Sequence, residues 1–183
     1  YTASEITANA LVKGMHIVGE DVGSARTFLP QVMLAAEAMK TSFDALRTKI
    51  KAEDLPYAGK VVLATVKGDI HDLGKNIVSA LLSNSGFAVI DLGKDVAPET
   101  ILAAVQKEKP EIVGLCALMT TTLGSMEETI KLLQKEGATA KIIVGGAVLT
   151  AEYAKEINAD MYASDGVQAV RLSEQIVKEN KEK

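Results

Sequence analysis

The chain has 183 residues, 48% hydrophobic and 24% charged, which excludes disordered, collagen-like and disulfide-scaffold classes. Its net charge of −4, from 20 basic and 24 acidic residues, offers no basic excess for a nucleic acid. No apolar run approaches the roughly 18 residues of a membrane span, and Cys116, the only cysteine, can make neither an internal disulfide nor a cysteine-rich zinc site.

Residues 1–55 read as a helical unit in which Ala, Met, Leu and Glu dominate. One apolar stripe, Ile6, Ala10, Leu11, Met15 and Val18, is close to helical spacing. A second runs from Leu29 through Val32, Met33, Ala36, Met39, Phe43 and Leu46 to Ile50. Gly19–Ser24 reads as a loop between them, and Pro30 suits the first turn of the second helix. His16 reads as structural or surface. Two helices bury little surface alone. They are expected to pack on the rest of the chain, on missing N-terminal helices, or on a second copy.

Pro56 and Gly59 mark a linker, and a second unit spans 59–183. Short β-branched apolar runs recur at Lys60–Val66, Phe87–Leu92, Glu111–Leu115, Lys141–Val144 and Asp160–Ala163. Helical segments separate them at roughly 74–85, 98–109, 125–136, 150–158 and 166–180. Strand and helix alternating five times predict an α/β, doubly wound, five-stranded parallel sheet of the flavodoxin-like (Rossmann-type) class. The near-continuous apolar strands fit a sheet covered on both faces.

In such a sheet the ligand site lies at the carboxyl ends of the strands, where the strand order reverses. For the order 2-1-3-4-5 the reversal falls between strands 1 and 3. The loops after them read Lys67-Gly68-Asp69-Ile70-His71-Asp72-Leu73-Gly74 and Ala117-Leu118-Met119-Thr120-Thr121-Thr122. A histidine can bind a metal through one ring nitrogen while a carboxylate holds the other. Asp69 is placed to be that carboxylate, with Thr122 extending the relay. A metal held by protein alone needs three or four ligands. A single histidine therefore suits a metal whose remaining ligands come from a cofactor. The duller alternatives are a solvated loop, an N-cap at Asp72, and hydroxyls that merely cap the next helix.

The segment GDIHDLGKNIV resembles the D-x-H-x-x-G motif of cobalamin-binding domains. The likeness is to the corrinoid domain of cobalamin-dependent methionine synthase and to the corrinoid proteins of methanol, methylamine and aryl-ether methyltransferase systems. FLPQVMLAAEAMK is similar to the start of the last helix of that family's helical cap. ATVKGDIHDLGKNIV, VIDLGKDVAPETI, IVGLCALMTTTLGSM and IIVGGA follow in the family's order.

The resemblance implies that His71 is the lower axial ligand of cobalt, with Asp69 and Thr122 completing a hydrogen-bonded relay. It implies that the cofactor's own base swings away and inserts its tail into the sheet domain, the base-off/His-on arrangement. Gly68, Ile70 and Asp72 then flank the ligand, and Gly74 opens the helix beside the tail. Cys116, Leu118 and Thr120 fall on the stretch that lines the tail. Gly145, Gly146 and Gly166 match further contacts. Leu29 and Val22 match cap residues over the upper face of the corrin. Three positions depart from the family pattern: Cys116 and Thr122 each replace a serine, and Val22 replaces a bulkier phenylalanine. The cap also shows two helices where the family has four.

The implied function is a corrinoid methyl carrier, a subunit not catalytic alone. Its implied partners are a substrate:corrinoid methyltransferase and a second methyltransferase acting on a thiol or tetrahydrofolate-type acceptor. A reductive activase and a homo-oligomer are further partners this reading admits; a nucleic acid and a membrane are not. No secretory leader is visible, and with a single cysteine the expected setting is cytoplasmic. A corrinoid-binding sensor is the alternative. A receiver domain shares the architecture but needs a phosphorylatable aspartate after strand 3, where this chain has Cys116 and threonines.

Overall fold

The computed structural model describes residues 6–14, 17–18, 28, 30–31, 34–35, 37–38, 41–42, 45 and 59–181. Five strands form: β1 (Lys60–Thr65), β2 (Ala88–Asp91), β3 (Ile112–Cys116), β4 (Lys141–Gly145) and β5 (Met161–Ala163). All pairings are parallel, in the order β2-β1-β3-β4-β5. Parallel neighbours require crossovers, and a helix supplies each one. These are α1 (Leu73–Asn84), α2 (Pro98–Glu108), α3 (Leu123–Lys135) and α4 (Ala151–Glu156); α5 (Gly166–Lys181) closes the fold.

The sheet is buried on both faces because its side chains alternate and both sets are apolar. Val61, Leu63, Ile112 and Ile143 face α1 and α5 and join a core with Leu81, Leu82, Ala169 and Ile176. Ala64, Val113, Leu115, Ile142 and Val144 face the other way and pack with Ile101, Met126, Ile130 and Leu133. The sheet thus matches the expectation from the sequence. Some boundaries differ. α3 begins at Leu123 because the threonine run coils into a 3-10 turn at Thr120–Thr122. α4 ends at Glu156, ahead of Asn158, whose φ of +57° breaks the helix. Asp72 stands at the N-cap of α1, its carbonyl accepting from the Asn76 N–H at 2.8 Å, but its side chain makes no capping hydrogen bond.

In the N-terminal region every described residue but Phe28 is helical, including a π-helical turn at Thr7–Val12. The Phe28 N–H donates to Gln31 Oε1 at 2.8 Å, half of a capping box. Leu11, Val18 and Ala35 pack against the α1/α5 core. These three residues therefore lie on the sheet unit. Ile6 and Ala10, of the same apolar stripe, are exposed. A π turn, bonded i to i+5, changes which positions share a face. Met15, His16, Gly19–Ser24, Val22, Leu29 and the linker at Pro56 lie outside the described residues.

Candidate functional site

The β1–α1 and β3–α3 loops meet at the carboxyl end of the sheet and join through one buried carboxylate. Asp69 is 0% exposed. Its Oδ1 accepts from His71 Nδ1 at 2.8 Å and from the His71 backbone N–H at 3.0 Å. Its Oδ2 accepts from the Leu118 N–H at 2.6 Å, the Met119 N–H at 3.2 Å and Thr122 Oγ1 at 3.1 Å. Burial pushes the Asp69 carboxyl up, but these hydrogen bonds together outweigh it and bring the pKa down to about 2. Asp69 is thus a fixed anion. It holds His71 from behind, and the imidazole side chain is 47% exposed. Nε2 has no partner among the described residues.

Thr122 is 4% exposed. Its hydroxyl has one proton and two acceptors in reach, Met119 O at 2.8 Å and Asp69 Oδ2 at 3.1 Å. It ties the 3-10 turn to the carboxylate. Gly68 turns the β1–α1 loop at φ +86°, a conformation that favours glycine.

Beside His71 a cavity of about 640 Å³ opens between the sheet and the α1/α5 layer. His71, Ile70 and Leu118 lie at its mouth. Val61, Ile112, Leu82 and Ser173 line its far end. From Cys116 to Ile112 it follows four strand residues, about 13 Å. Gly114 makes room for it. This glycine sits in mid-sheet between Leu63 and Ile143 on the cavity face. A Cβ there would meet Leu63 Cδ2 at 2.3 Å. The rim is apolar yet open: Ile70, Leu73 and Leu118 are 64%, 65% and 42% exposed. Large exposed apolar side chains grouped around a histidine call for a cover.

Of the residues singled out in the sequence, Ile70, His71, Asp72, Gly74, Cys116, Leu118, Gly145, Gly146 and Gly166 line the cavity. Gly68, Asp69, Thr120 and Thr122 do not. Asp69 and Thr122 lie behind His71, Gly68 shapes the loop, and Thr120 is exposed on the 3-10 turn. Val22 and Leu29 lie outside the described residues. Burial pushes the Cys116 thiol up to about 12, so it stays neutral and serves as a small wall residue.

A family model described as a B12 binding domain matches residues 59–171. A second, also described as a B12 binding domain, matches residues 1–47. The chain belongs to the B12-binding domain family. Dimethylamine corrinoid protein 3 of Methanosarcina acetivorans is 38% identical over 94% of this chain and 82% of its own length. A corrinoid protein of Desulfitobacterium hafniense is 39% identical over 92% of this chain and 81% of its own length. The solved methanol:cobalamin methyltransferase complex MtaBC of Methanosarcina barkeri contains a chain with a TM-score of 0.87 and 34% identity. That match covers 96% of this chain and 68% of the other.

The cofactor class of the family is therefore a corrinoid, and this site suits one. The apolar rim matches a flat macrocycle. The long cavity, widened by Gly114, matches a tail threaded down the sheet. Nε2 at the mouth carries a lone pair of the kind that suits a metal, and among the described residues no cluster of three metal-ligating side chains competes with it. No described helix is long and apolar enough to cross a membrane.

Several lining residues went unread in the sequence. Gly114, inside an otherwise β-branched strand, carried a usable signal, because such a glycine often marks a close approach. Lys75 stood inside the matched motif. Ser164, Asp165 and Ser173 carried none.

Proposed function

We propose that this chain is the corrinoid methyl carrier of a methyltransferase system, with His71 as the lower axial ligand of cobalt. The observation that carries this reading is His71, clamped through Nδ1 by a buried carboxylate and presenting Nε2 at the mouth of an apolar cavity. When bound, the corrinoid supplies the metal that takes up and gives away the methyl group. The protein supplies position and electrostatics.

Because Asp69 stays ionised, the shared proton rests on His71 Nδ1 and the Nε2 lone pair is left for the metal. A proton delivered to Nε2 would remove that lone pair and release the ligand. Thr122 steadies the carboxylate. The cavity, walled by Gly74, Cys116, Leu118, Gly145, Gly146 and Gly166, would hold the cofactor's own base, the base-off/His-on arrangement. Residues 1–55 form a cap and 59–183 the corrinoid-binding unit. Val22 and Leu29 are the cap residues that would shield the reactive face.

The partners proposed are a substrate:corrinoid methyltransferase and a corrinoid:acceptor methyltransferase, with an activase to restore oxidised cofactor. The names of the relatives, corrinoid proteins for dimethylamine and a methanol:cobalamin methyltransferase complex, support that partner class.

The test is the absorption spectrum of the protein reconstituted with hydroxocobalamin and freed of excess, beside His71→Gly. Corrin bands retained by both, with a base-off shift in the variant, are expected. Unchanged bands in the variant would remove the axial role. No retained corrin in the folded wild-type protein would remove the carrier reading altogether.

Gly114→Ala tests the cavity separately. Its methyl group must displace the Leu63 side chain, which is the flexible end of its neighbour. The protein should fold. Its corrinoid affinity should fall roughly tenfold, the scale of one methyl group misplaced in a packed slot. Affinity equal to wild type, measured by fluorescence quenching on titration, would place the tail elsewhere.

A further inference from the structure

The segment joining β2 to α2 matches the family pattern but carries none of the roles assigned above. It grips the β1–α1 loop at both ends. At one end, Asp95 Oδ1 accepts from the Gly68 N–H at 2.7 Å, and the Asp95 N–H donates to Asp69 O at 2.9 Å. Next to it the Thr65 N–H donates to Gly93 O at 3.0 Å, and Val66 bridges Val96. At the other end, Lys75 Nζ donates to both carboxylate oxygens of Asp91, at 2.6 and 2.5 Å, and to Asn76 Oδ1 at 2.8 Å. Asp91 Oδ1 also accepts from the Gly93 N–H at 2.8 Å.

Both ends carry local costs. The Lys75 side chain is 1% exposed, and burying an ammonium is expensive even when paired. It also occupies the first turn of α1, where the helix dipole favours an acid. A leucine or methionine would fill the same space without either cost. Asp95 holds φ +55°, a region that glycine or asparagine enters more easily. Departures from local preference that gather around one short segment indicate that its position is under constraint. The segment between the two grips, 68–75, carries Asp69 and His71.

We propose that Asp95 and the Lys75–Asp91 pair are positioning residues that bracket this segment from the neighbouring loop and fix the height of His71 at the cavity mouth. The proposal rests on the reading of His71 as the metal ligand. Without the bracket, Gly68 and the start of α1 are free to drift, and the imidazole with them; loss of the Asp95 grip leaves the cavity wall intact, whereas Lys75 is itself a wall residue. The bracket therefore governs metal ligation more than cofactor retention.

Asp95→Gly, Asp95→Asn and Lys75→Met separate the effects. Glycine removes the carboxylate and relieves the backbone. Asparagine keeps an acceptor oxygen and tolerates the left-handed conformation. Methionine keeps the buried stem of Lys75 without its charge. Each variant is loaded with hydroxocobalamin, its spectrum compared with those of wild type and His71→Gly, and amide exchange recorded on the apo protein.

Asp95→Gly should retain corrin at the wild-type ratio, while its base-off to His-on ratio rises roughly tenfold, equivalent to about 1.4 kcal/mol or one hydrogen bond to a charged group. Exchange at the Gly68 amide should quicken. Asp95→Asn should stay within about twofold of wild type, since the acceptor survives. Lys75→Met should shift the ratio as Asp95→Gly does. A wild-type spectrum from Asp95→Gly, or an equal shift from Asp95→Asn, overturns the proposal. A wild-type spectrum from Lys75→Met removes the Lys75–Asp91 pair from it. An unchanged spectrum in His71→Gly marks the failure of the axial reading itself, and the proposal falls with it.

Discussion

Replacement of Asp69 by alanine should destabilise the apo protein by about 3–5 kcal/mol, the range for removing one partner from a buried charged network. The change strands the Leu118 and Met119 N–H groups and frees the His71 ring, while the Thr122 hydroxyl keeps only Met119 O. Urea unfolding of the apo protein measures this without any contribution from bound cofactor. Asp69→Asn should cost less, because one oxygen remains to accept hydrogen bonds. Its amide must still turn a donor toward other donors, either at Leu118 and Met119 or at His71. A midpoint for Asp69→Ala equal to that of wild type would show that the two loops are held together by something else.

The same network sets an acid limit. The folded Asp69 pKa of about 2 lies below its ordinary value of 3.8, so the carboxylate contributes stability that is complete above about pH 4. That contribution should fade as the pH falls from there toward 2. In Asp69→Asn this part of the acid dependence should be absent.

Gly146→Ala should be the most damaging of the single-methyl changes at the site. A Cβ there would lie 1.8 Å from Ala117 O, and φ is +136°. The obstructing atom is backbone, so it cannot rotate away. The β4–α4 turn must lift from the β3–α3 loop, breaking the bond from the Ala117 N–H to Gly145 O. Backbone strain and overpacking each run about 1–3 kcal/mol, so the sum should exceed about 3 kcal/mol. Gly137→Ala is the matched control. It also has positive φ, at +71°, but a Cβ there meets nothing within 4 Å. It should cost about 1 kcal/mol, from the left-handed backbone alone. Equal losses for the two variants would mean that the turn at Gly146 yields freely and does not define the cavity mouth.

Much of the scaffold was legible along the chain. Five β-branched runs and the helices between them reappear close to their expected limits, and the order β2-β1-β3-β4-β5 puts the D-x-H loop where the strand order reverses. The Asp69–His71 pair was also readable, since two residues of separation in a loop bring a carboxylate to a ring nitrogen. Thr122 was a longer reach, 53 residues away in sequence, and rested on the expected meeting of the loops after strands 1 and 3 together with the resemblance. Thr120 sits on the same stretch, exposed on the 3-10 turn and outside the cavity lining.

What the sequence by itself determined is the alternation of elements, the family, and the residues capable of chemistry, because periodicity and motif spacing are local properties. Only the tertiary structure decided how deep Asp69 lies and how many donors meet it. Those donors come from Leu118, Met119 and Thr122, which no local rule brings beside residue 69. The same holds for the cavity, which exists because Gly114 in mid-sheet faces the gap beneath α1 and α5. It holds again for Lys75, whose first-turn ammonium reads as a solvated side chain until β2 brings Asp91 beside it. Burial, and the pairing that makes burial tolerable, depend on contacts between distant segments, and those arise only when the chain closes on itself.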